Sequence, residues 1–388
     1  MNIVKTVGCR LNQAEGDLLI NYPFETLKKP IYIVNTCAVT QEAVRTSWKI
    51  IRRTMRDKPK KAWLIVTGCL ASVERDKLME CEGIDLVLSQ NEKSAFLTKL
   101  FQLGDYPYAQ ITRSRPLLKV QDGCNNHCSF CIACLIRGPV KSTPIRIVLQ
   151  QISQLINYGY QEIVLTGLNL GCYGQDQNYS LNELLKSLPN GNYRLRLSSL
   201  QPETITDELI ETLQRLMHQG RLCRHLHIPL QSGDERILQL MNRHYTIKDY
   251  CHLINKIITK IPEINIGTDI IVGFPTEDQQ SFEKTVQIVN QLPFGYLHIF
   301  PYSVRHGTAA ATLPDNVSRQ EKKERVFQLR LLSRKKAIAY QSKFNQKYLK
   351  ILAEEQNRGL SDNYLRLPLA KDKRYQKGKI YEILVGQF

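Results

Sequence analysis

The stretch LLKVQDGCNNHCSFC, residues 117–131, decides how the chain is read. Its first half, LLKVQDG, is a short apolar run closed by Gly123, which reads as a strand leaving through a tight turn. Its second half sets Cys124, Cys128 and Cys131 in a C-x3-C-x2-C spacing. A loop with that spacing can wrap three thiolates around one corner of an iron–sulfur cube. Three thiolates on a four-iron cluster leave one iron open to a further ligand, which a four-cysteine site does not. The alternative is a zinc knuckle. Structural zinc usually takes four ligands in two pairs, and His127, between two of the cysteines, has poor reach.

Downstream, from 117 to about 318, six strand candidates alternate with helical segments. They are residues 117–123, 162–169, 194–200, 225–231, 264–274 and 296–303. Six βα units are too few for an eight-fold barrel, so an open partial (β/α)6 barrel is expected. A strongly basic helix is predicted at 318–342. Upstream, DYPYAQITRSRP (105–116) is polar, carries two prolines and reads as a linker.

Before that linker, MNIVKTV, IYIVNT, WLIVTG and IDLVLS are short, β-branched and apolar on both faces, with helix-like segments such as 40–56 between them. This is the signature of a doubly wound parallel sheet. Cys9, Cys37 and Cys69 each close one of these runs, at KTVGC, IVNTC and IVTGC. The carboxyl ends of parallel strands share one edge, where ligand sites form, and a βαβ unit is about 30 residues long. The intervals therefore set three thiols on neighbouring strands. Helix amides following each would favour thiolates and an anionic cluster. Three buried cysteines that happen to end strands are the alternative.

The last 46 or so residues hold strand candidates at KYLKILAEEQ, YLRLPLA and GKIYEILVG, which fits a small nucleic-acid-binding β-barrel. The chain carries a net charge of +17; residues 319–388 alone hold 18 Lys/Arg against 7 Asp/Glu. Positive charge concentrated in one terminal module points to a polyanion. Arg366, Lys373, Arg374 and Lys377 interleave there with Tyr364 and Tyr375, a pattern suited to phosphate pairing and base stacking.

No run of about 18 apolar residues and no secretory signal is present, so a cytoplasmic protein without a membrane partner is expected. In a reducing compartment the clustered members of the 11 cysteines are better read as metal ligands than as disulfides. Cys81, Cys172, Cys223 and Cys251 read as ordinary core or surface thiols. His225 and His227, with Arg224 nearby, read either as a polar barrel interior or as strand-end hydrogen bonders. Asp269 would bind substrate or orient a basic side chain.

The C-x3-C-x2-C loop after a first barrel strand resembles the radical S-adenosylmethionine superfamily. Together with VGCRLNQAEGD (7–17), VNTCAVT (34–40), VTGCLA (66–71), RGP (137–139), EIVLTGLNLG (162–171), RLSSLQP (196–202), HIPLQSGD (227–234), TDIIVGFPTE (268–277) and FPYSVRHGT (300–308), it resembles the methylthiotransferase family over essentially the whole chain. GLSDNYLRL (359–367) is similar to that family's RNA-binding TRAM domain. The resemblance implies domains at 1–104, 105–342 and 343–388. It implies two 4Fe-4S clusters, one on Cys124, Cys128 and Cys131 that cleaves S-adenosylmethionine, and an auxiliary one on Cys9, Cys37 and Cys69 that presents sulfur. A second S-adenosylmethionine would supply the methyl group, and an electron donor protein is required.

Among the family's subgroups, GCRLNQ, NTCAVT with its following KIIRR helix, and SDNYLRL are closest to the type acting on carbon 2 of threonylcarbamoyladenosine 37 in the tRNA anticodon loop. Types acting on isopentenyladenosine or on a ribosomal-protein aspartate are the alternatives, and a non-catalytic metal-containing RNA-binding protein is the rival of another class. The chain departs from the family at Cys134, where proline is usual. A fourth thiolate there would close the open iron; Cys134 is read as a non-ligand because Cys124 already fits the loop spacing.

Overall fold

The computed structural model describes residues 2–20, 29–102, 113–355, 357–370 and 372–386. Residues 105–112 of the expected linker, and with them the expected domain boundary at 104/105, lie outside the described residues.

Strands β1 (Ile3–Thr6), β2 (Ile31–Thr36), β3 (Trp63–Gly68) and β4 (Leu86–Leu88) form a parallel sheet. Both faces are covered, as apolar strands with no polar alternation require. Ile31, Ile33 and Ile65 meet Leu18 and Leu19 of α1 (Arg10–Leu19) and Leu97 of the helix Gln90–Gln102. Val34, Leu64 and Val66 point the other way, onto Val44 and Ile51 of α2 (Gln41–Asp57). Helix α2 starts where expected because the Thr40 hydroxyl accepts from the Ala43 amide, 3.1 Å away. One expectation needs correcting. The strands lie in the simple order β1-β2-β3-β4, without the reversal of a doubly wound sheet. No crevice at a topological switch therefore forms, and the functional edge is made by the strand ends alone.

The six expected barrel strands are present as β5 (Leu117–Lys119), β6 (Glu162–Thr166), β7 (Arg194–Leu197), β8 (His225–His227), β9 (Asn265–Val272) and β10 (Tyr296–Pro301), all parallel. The trios β5-β6-β7 and β8-β9-β10 meet through the Leu195/Leu222 bridge and the Leu200 amide, which donates to the His227 carbonyl at 2.9 Å. An aliphatic core of Leu118, Val148, Ile163, Leu165, Leu213, Leu226, Ile254 and Ile266 fastens the outer helices to the strands. The basic helix runs Arg319–Ser342, its start fixed by a Ser318/Glu321 capping box.

The carboxy-terminal module is an antiparallel sheet of β11 (Tyr348–Glu355), β12 (Arg358–Ser361), β13 (Arg366–Pro368) and β14 (Ile380–Leu384), ordered β13-β12-β11-β14. Strand β12 was not among the expected strands; it is only four residues long and opens on Arg358–Gly359. The module docks on the barrel through buried charge. Arg194 and Arg196 each donate to the fully buried Glu162 at 2.7 Å, then reach the Lys350 and Ser361 carbonyls at 2.9 Å.

Candidate metal centres and the interface between them

The first thiol trio sits on the carboxyl edge of the amino-terminal sheet. Cys9 is the N-cap of α1 and makes no side-chain cap bond, so the side chain leaves the free amides of the first turn uncapped. Cys37 follows β2 directly and is 3% exposed; its amide donates to Ser47 Oγ at 3.0 Å, and Ser47 Oγ donates back to the Cys37 carbonyl at 3.1 Å. Cys69 follows β3 as the first residue of α3 (Cys69–Val73) and is 2% exposed. A Cβ on Gly8 would fall 2.7 Å from Cys37 Sγ, so the loop carrying Cys9 rests against Cys37. Burial pushes the Cys37 thiol up to about 11, and the neighbouring Cys69 and Cys9 sulfurs add to the rise. Burial raises Cys69 too, with Cys9 contributing. Thiols in mutual electrostatic reach shed their protons when a metal takes them up.

Behind this trio lies a buried charge network that sequence reading missed. Glu15, on α1, is fully buried and is met by Lys93 at 2.7 Å, Lys119 at 2.6 Å and Arg137 at 3.0 Å. Asp122 accepts from Lys119 at 2.6 Å and from Arg137 at 2.9 Å. Lys93 also donates to Asn35 Oδ1 at 2.9 Å, and Arg137 Nη2 lies 4.0 Å from Cys69 Sγ. Three cations against two carboxylates leave this network net positive, the sign that complements an anionic thiolate cluster. Despite complete burial, which would raise it, Arg137, Lys119 and Lys93 hold Glu15 well below the usual carboxylate range.

The second trio lies on the loop after Gln121–Asp122. The Cys124 amide donates to the Gly138 carbonyl and the Cys131 amide to the Cys128 carbonyl, both at 3.0 Å. Ser129 anchors the loop to the barrel through the Met241 and Leu240 carbonyls and the Ala310 amide. Arg243, buried, donates to Cys128 Sγ at 3.0 Å; it too was not singled out from sequence. Gly123 has φ +70°, and a Cβ there would lie 1.8 Å from the Pro139 carbonyl oxygen. Gly123→Ala is therefore expected to misplace the loop and cut the iron bound on anaerobic reconstitution to about half, which iron assay and absorption near 400 nm would register.

Cys134 opens onto the same loop. Its Sγ lies 3.3 Å from the Cys131 carbonyl, and a hydrogen bond between the two thiols holds Cys134 low and Cys131 high. Cys172 is buried, sharing Asn169 Nδ2 with Cys124 at 3.0 and 3.9 Å. Cys223 is buried in the barrel, and Cys81 and Cys251 are partly exposed.

In the barrel lumen, His225 and His227 both meet Tyr296 Oη, at 2.8 and 3.1 Å. Asp269 meets two imidazoles in the lumen. It lies 2.9 Å from His227 Nε2 and 3.3 Å from His298 Nδ1, and these three ligand atoms are close enough to hold a cation. Arg224 pairs instead with Asp362 of the carboxy-terminal module at 2.6 Å. Tyr364 also makes contacts across the domain seam. It stacks on His225 with centroids 4.1 Å apart and accepts from Arg10, next to Cys9, at 2.8 Å. Its ring is half-buried and also lines the basic groove described below. Tyr375 packs edge-on against Tyr381. Arg366, Lys373, Arg374 and Lys377 are exposed. Arg366 and Lys377 line a groove of about 760 Å3 with Arg10, Arg113, Arg115 and Arg358; Lys373 and Arg374 lie outside it.

The donor sets fit iron–sulfur clusters. Each trio is all sulfur, none of its thiols is in a disulfide, and each has a buried guanidinium at one sulfur.

Two family models match the chain: the radical SAM superfamily over residues 118–289 and the uncharacterized protein family UPF0004 over residues 2–89. The chain is 36% identical to the threonylcarbamoyladenosine tRNA methylthiotransferase MtaB of Aquifex aeolicus, over 98% of this chain and 99% of that protein. It is 33% identical to the MtaB of Bacillus subtilis, over 98% and 92%. It is 31% identical to a tRNA-2-methylthio-N(6)-dimethylallyladenosine synthase of Thermotoga petrophila, over 91% and 86%. Among solved structures, the radical S-adenosylmethionine methyltransferase TsrM of Kitasatospora setae shares the fold, with TM-score 0.56 at 13% identity, covering 80% of this chain and 77% of that one. On this full-length similarity, the chain belongs to the methylthiotransferase family of radical S-adenosylmethionine enzymes, alongside proteins named MtaB.

Proposed function

We propose that this enzyme installs a methylthio group on carbon 2 of threonylcarbamoyladenosine at position 37 of tRNA. The observation that carries the reading is the Arg137 bridge. One guanidinium touches Cys69 of the first trio and Asp122, two residues before Cys124 of the second. Two thiol trios flanking a single interface suit a reaction that needs a radical and a sulfur atom at the same carbon. Cys124, Cys128 and Cys131 would hold one 4Fe-4S cluster, and Cys9, Cys37 and Cys69 the other. When bound, the first supplies the electron that splits S-adenosylmethionine and the second supplies the sulfur.

The chain's own residues prepare that site. Arg243 fixes the Cys128 sulfur, and Ser129 ties its loop to the barrel. Arg137, Glu15 and Lys93 give the first trio a positive backing. The Asp269 and Tyr296 contacts hold His227 and His298 in the lumen in one orientation.

In this reading the chain divides into 1–104, 105–342 and a TRAM-like module at 343–388. Arg366, Lys373, Arg374 and Lys377 pair with tRNA phosphates around the anticodon loop. An electron donor protein serves the first cluster, and the enzyme works in the cytoplasm; no helix among the described residues is long and apolar enough to cross a membrane. Mass spectrometry of tRNA nucleosides from cells with and without the gene tests the substrate. The methylthio form of threonylcarbamoyladenosine is expected to vanish on deletion; its persistence, or loss of the isopentenyl counterpart instead, overturns the assignment.

A further inference from the structure

We propose that the exposed face of α2 is a second RNA-binding surface, gripping the tRNA backbone beside the modified nucleotide. This rests on the tRNA reading above and goes beyond the carboxy-terminal module, where RNA contact was expected. Arg45, Lys49, Arg52 and Arg56 follow one another at intervals of four, three and four residues, so they stack along one side of the helix. All are exposed and, with Trp48 and Lys77, line an open groove of about 750 Å3. The stripe from Arg45 to Arg56 spans about 16 Å at 1.5 Å per residue, room for several successive phosphates.

The charges are not a solvated mosaic. Arg56 and Arg53 share Asp57, at 3.0 and 3.3 Å. Arg45, Lys49 and Arg52 have no carboxylate within 4.0 Å among the described residues. By contrast, the surface helix Asp207–His218 engages Asp207 with Lys256 and Glu211 with Lys260. Like charges one turn apart repel, and a polyanion relieves that repulsion. Trp48 stiffens the face. Its Nε1 donates to Glu74 at 2.9 Å, and its ring carries Arg52 and Lys77 at 5.7 and 4.9 Å.

The stripe is also continuous with the site. Gln41, the first residue of α2, donates its amide to Ser303 Oγ on the barrel rim at 3.3 Å, and Cys37 lies four residues earlier. A nucleotide whose base enters between the thiol trios must leave its backbone at their rim, and α2 leads outward from there. The spacing of phosphates along RNA, not base identity, is what this surface would read.

The test is Arg45→Glu/Lys49→Glu/Arg52→Glu in the reconstituted full-length enzyme, with tRNA carrying threonylcarbamoyladenosine as the probe. Affinity at 0.15 M salt is expected to fall at least about tenfold, and the slope of log affinity against log salt to flatten by roughly two. Iron content and cleavage of S-adenosylmethionine without RNA should stay at wild-type level. If the reversal lowers the iron content, the Gln triple variant, which adds no negative charge, is judged by the same criterion at about half the effect. Wild-type affinity and slope in a variant whose parent binds and modifies tRNA overturn the inference and leave the function standing. A parent that binds no tRNA at low salt overturns both.

Discussion

Cys124→Ala is expected to abolish cleavage of S-adenosylmethionine, whereas Cys69→Ala is expected to retain it and lose only methylthiolation. The two variants separate the roles of the trios because each sulfur belongs to a different chain segment with its own supports. Cys124 is fixed by the Gly138 carbonyl and Asn169; Cys69 stands at the start of α3 with Arg137 beside it. With one thiolate gone, a four-iron site has two protein ligands instead of three. Each variant should therefore carry about four irons after anaerobic reconstitution, against about eight in the parent. The readouts are 5′-deoxyadenosine released with a chemical reductant, and methylthio product on tRNA. A Cys124→Ala enzyme that still releases 5′-deoxyadenosine contradicts the assignment. So does a Cys69→Ala enzyme that still makes product.

Glu15→Gln is expected to be strongly destabilising. The carboxylate faces three buried cations, and Asp122 alone cannot balance them. Removing one partner from a buried ion network leaves uncompensated charge at a cost of about 3–5 kcal/mol. The exposed Lys186–Glu208 pair exchanges freely with water, and its loss should leave the melting temperature unchanged. The same carboxylate sets an acid limit. Glu15 titrates below its ordinary value of 4.5 in the fold, so the folded state binds fewer protons than the unfolded one. Its contribution is complete above pH 4.5 and is lost as the pH falls below it. Melting curves of parent and variant should converge on acidification; a constant gap from pH 7 to pH 3 would refute the linkage.

Much of this was legible in the chain as written. The trio at Cys124, Cys128 and Cys131 is local, so spacing alone brings it together. Cys9, Cys37 and Cys69 were legible at longer range because a βαβ period carries each to the same sheet edge. The Glu15 network was not. Its partners stand 78, 104 and 122 residues from Glu15 and come from a helix, a barrel strand and the short helix Ala133–Arg137 after the cluster loop, with no common period. The contacts of Tyr364 were not legible for a related reason. Its stack on His225 joins the carboxy-terminal module to the barrel and exists only once the two have docked.

Apolar periodicity determined the strands and their parallel direction, and strand-end spacing determined which thiols could share an edge. Both follow from local geometry, which repeats along the chain and is written in it. Only the folded assembly decided the sequential strand order, the stack of Tyr364 on His225 and the salt-bridged seam through Arg137. A buried charge chooses its partner by proximity in a low-dielectric interior, and proximity between distant segments exists only once the domains have docked.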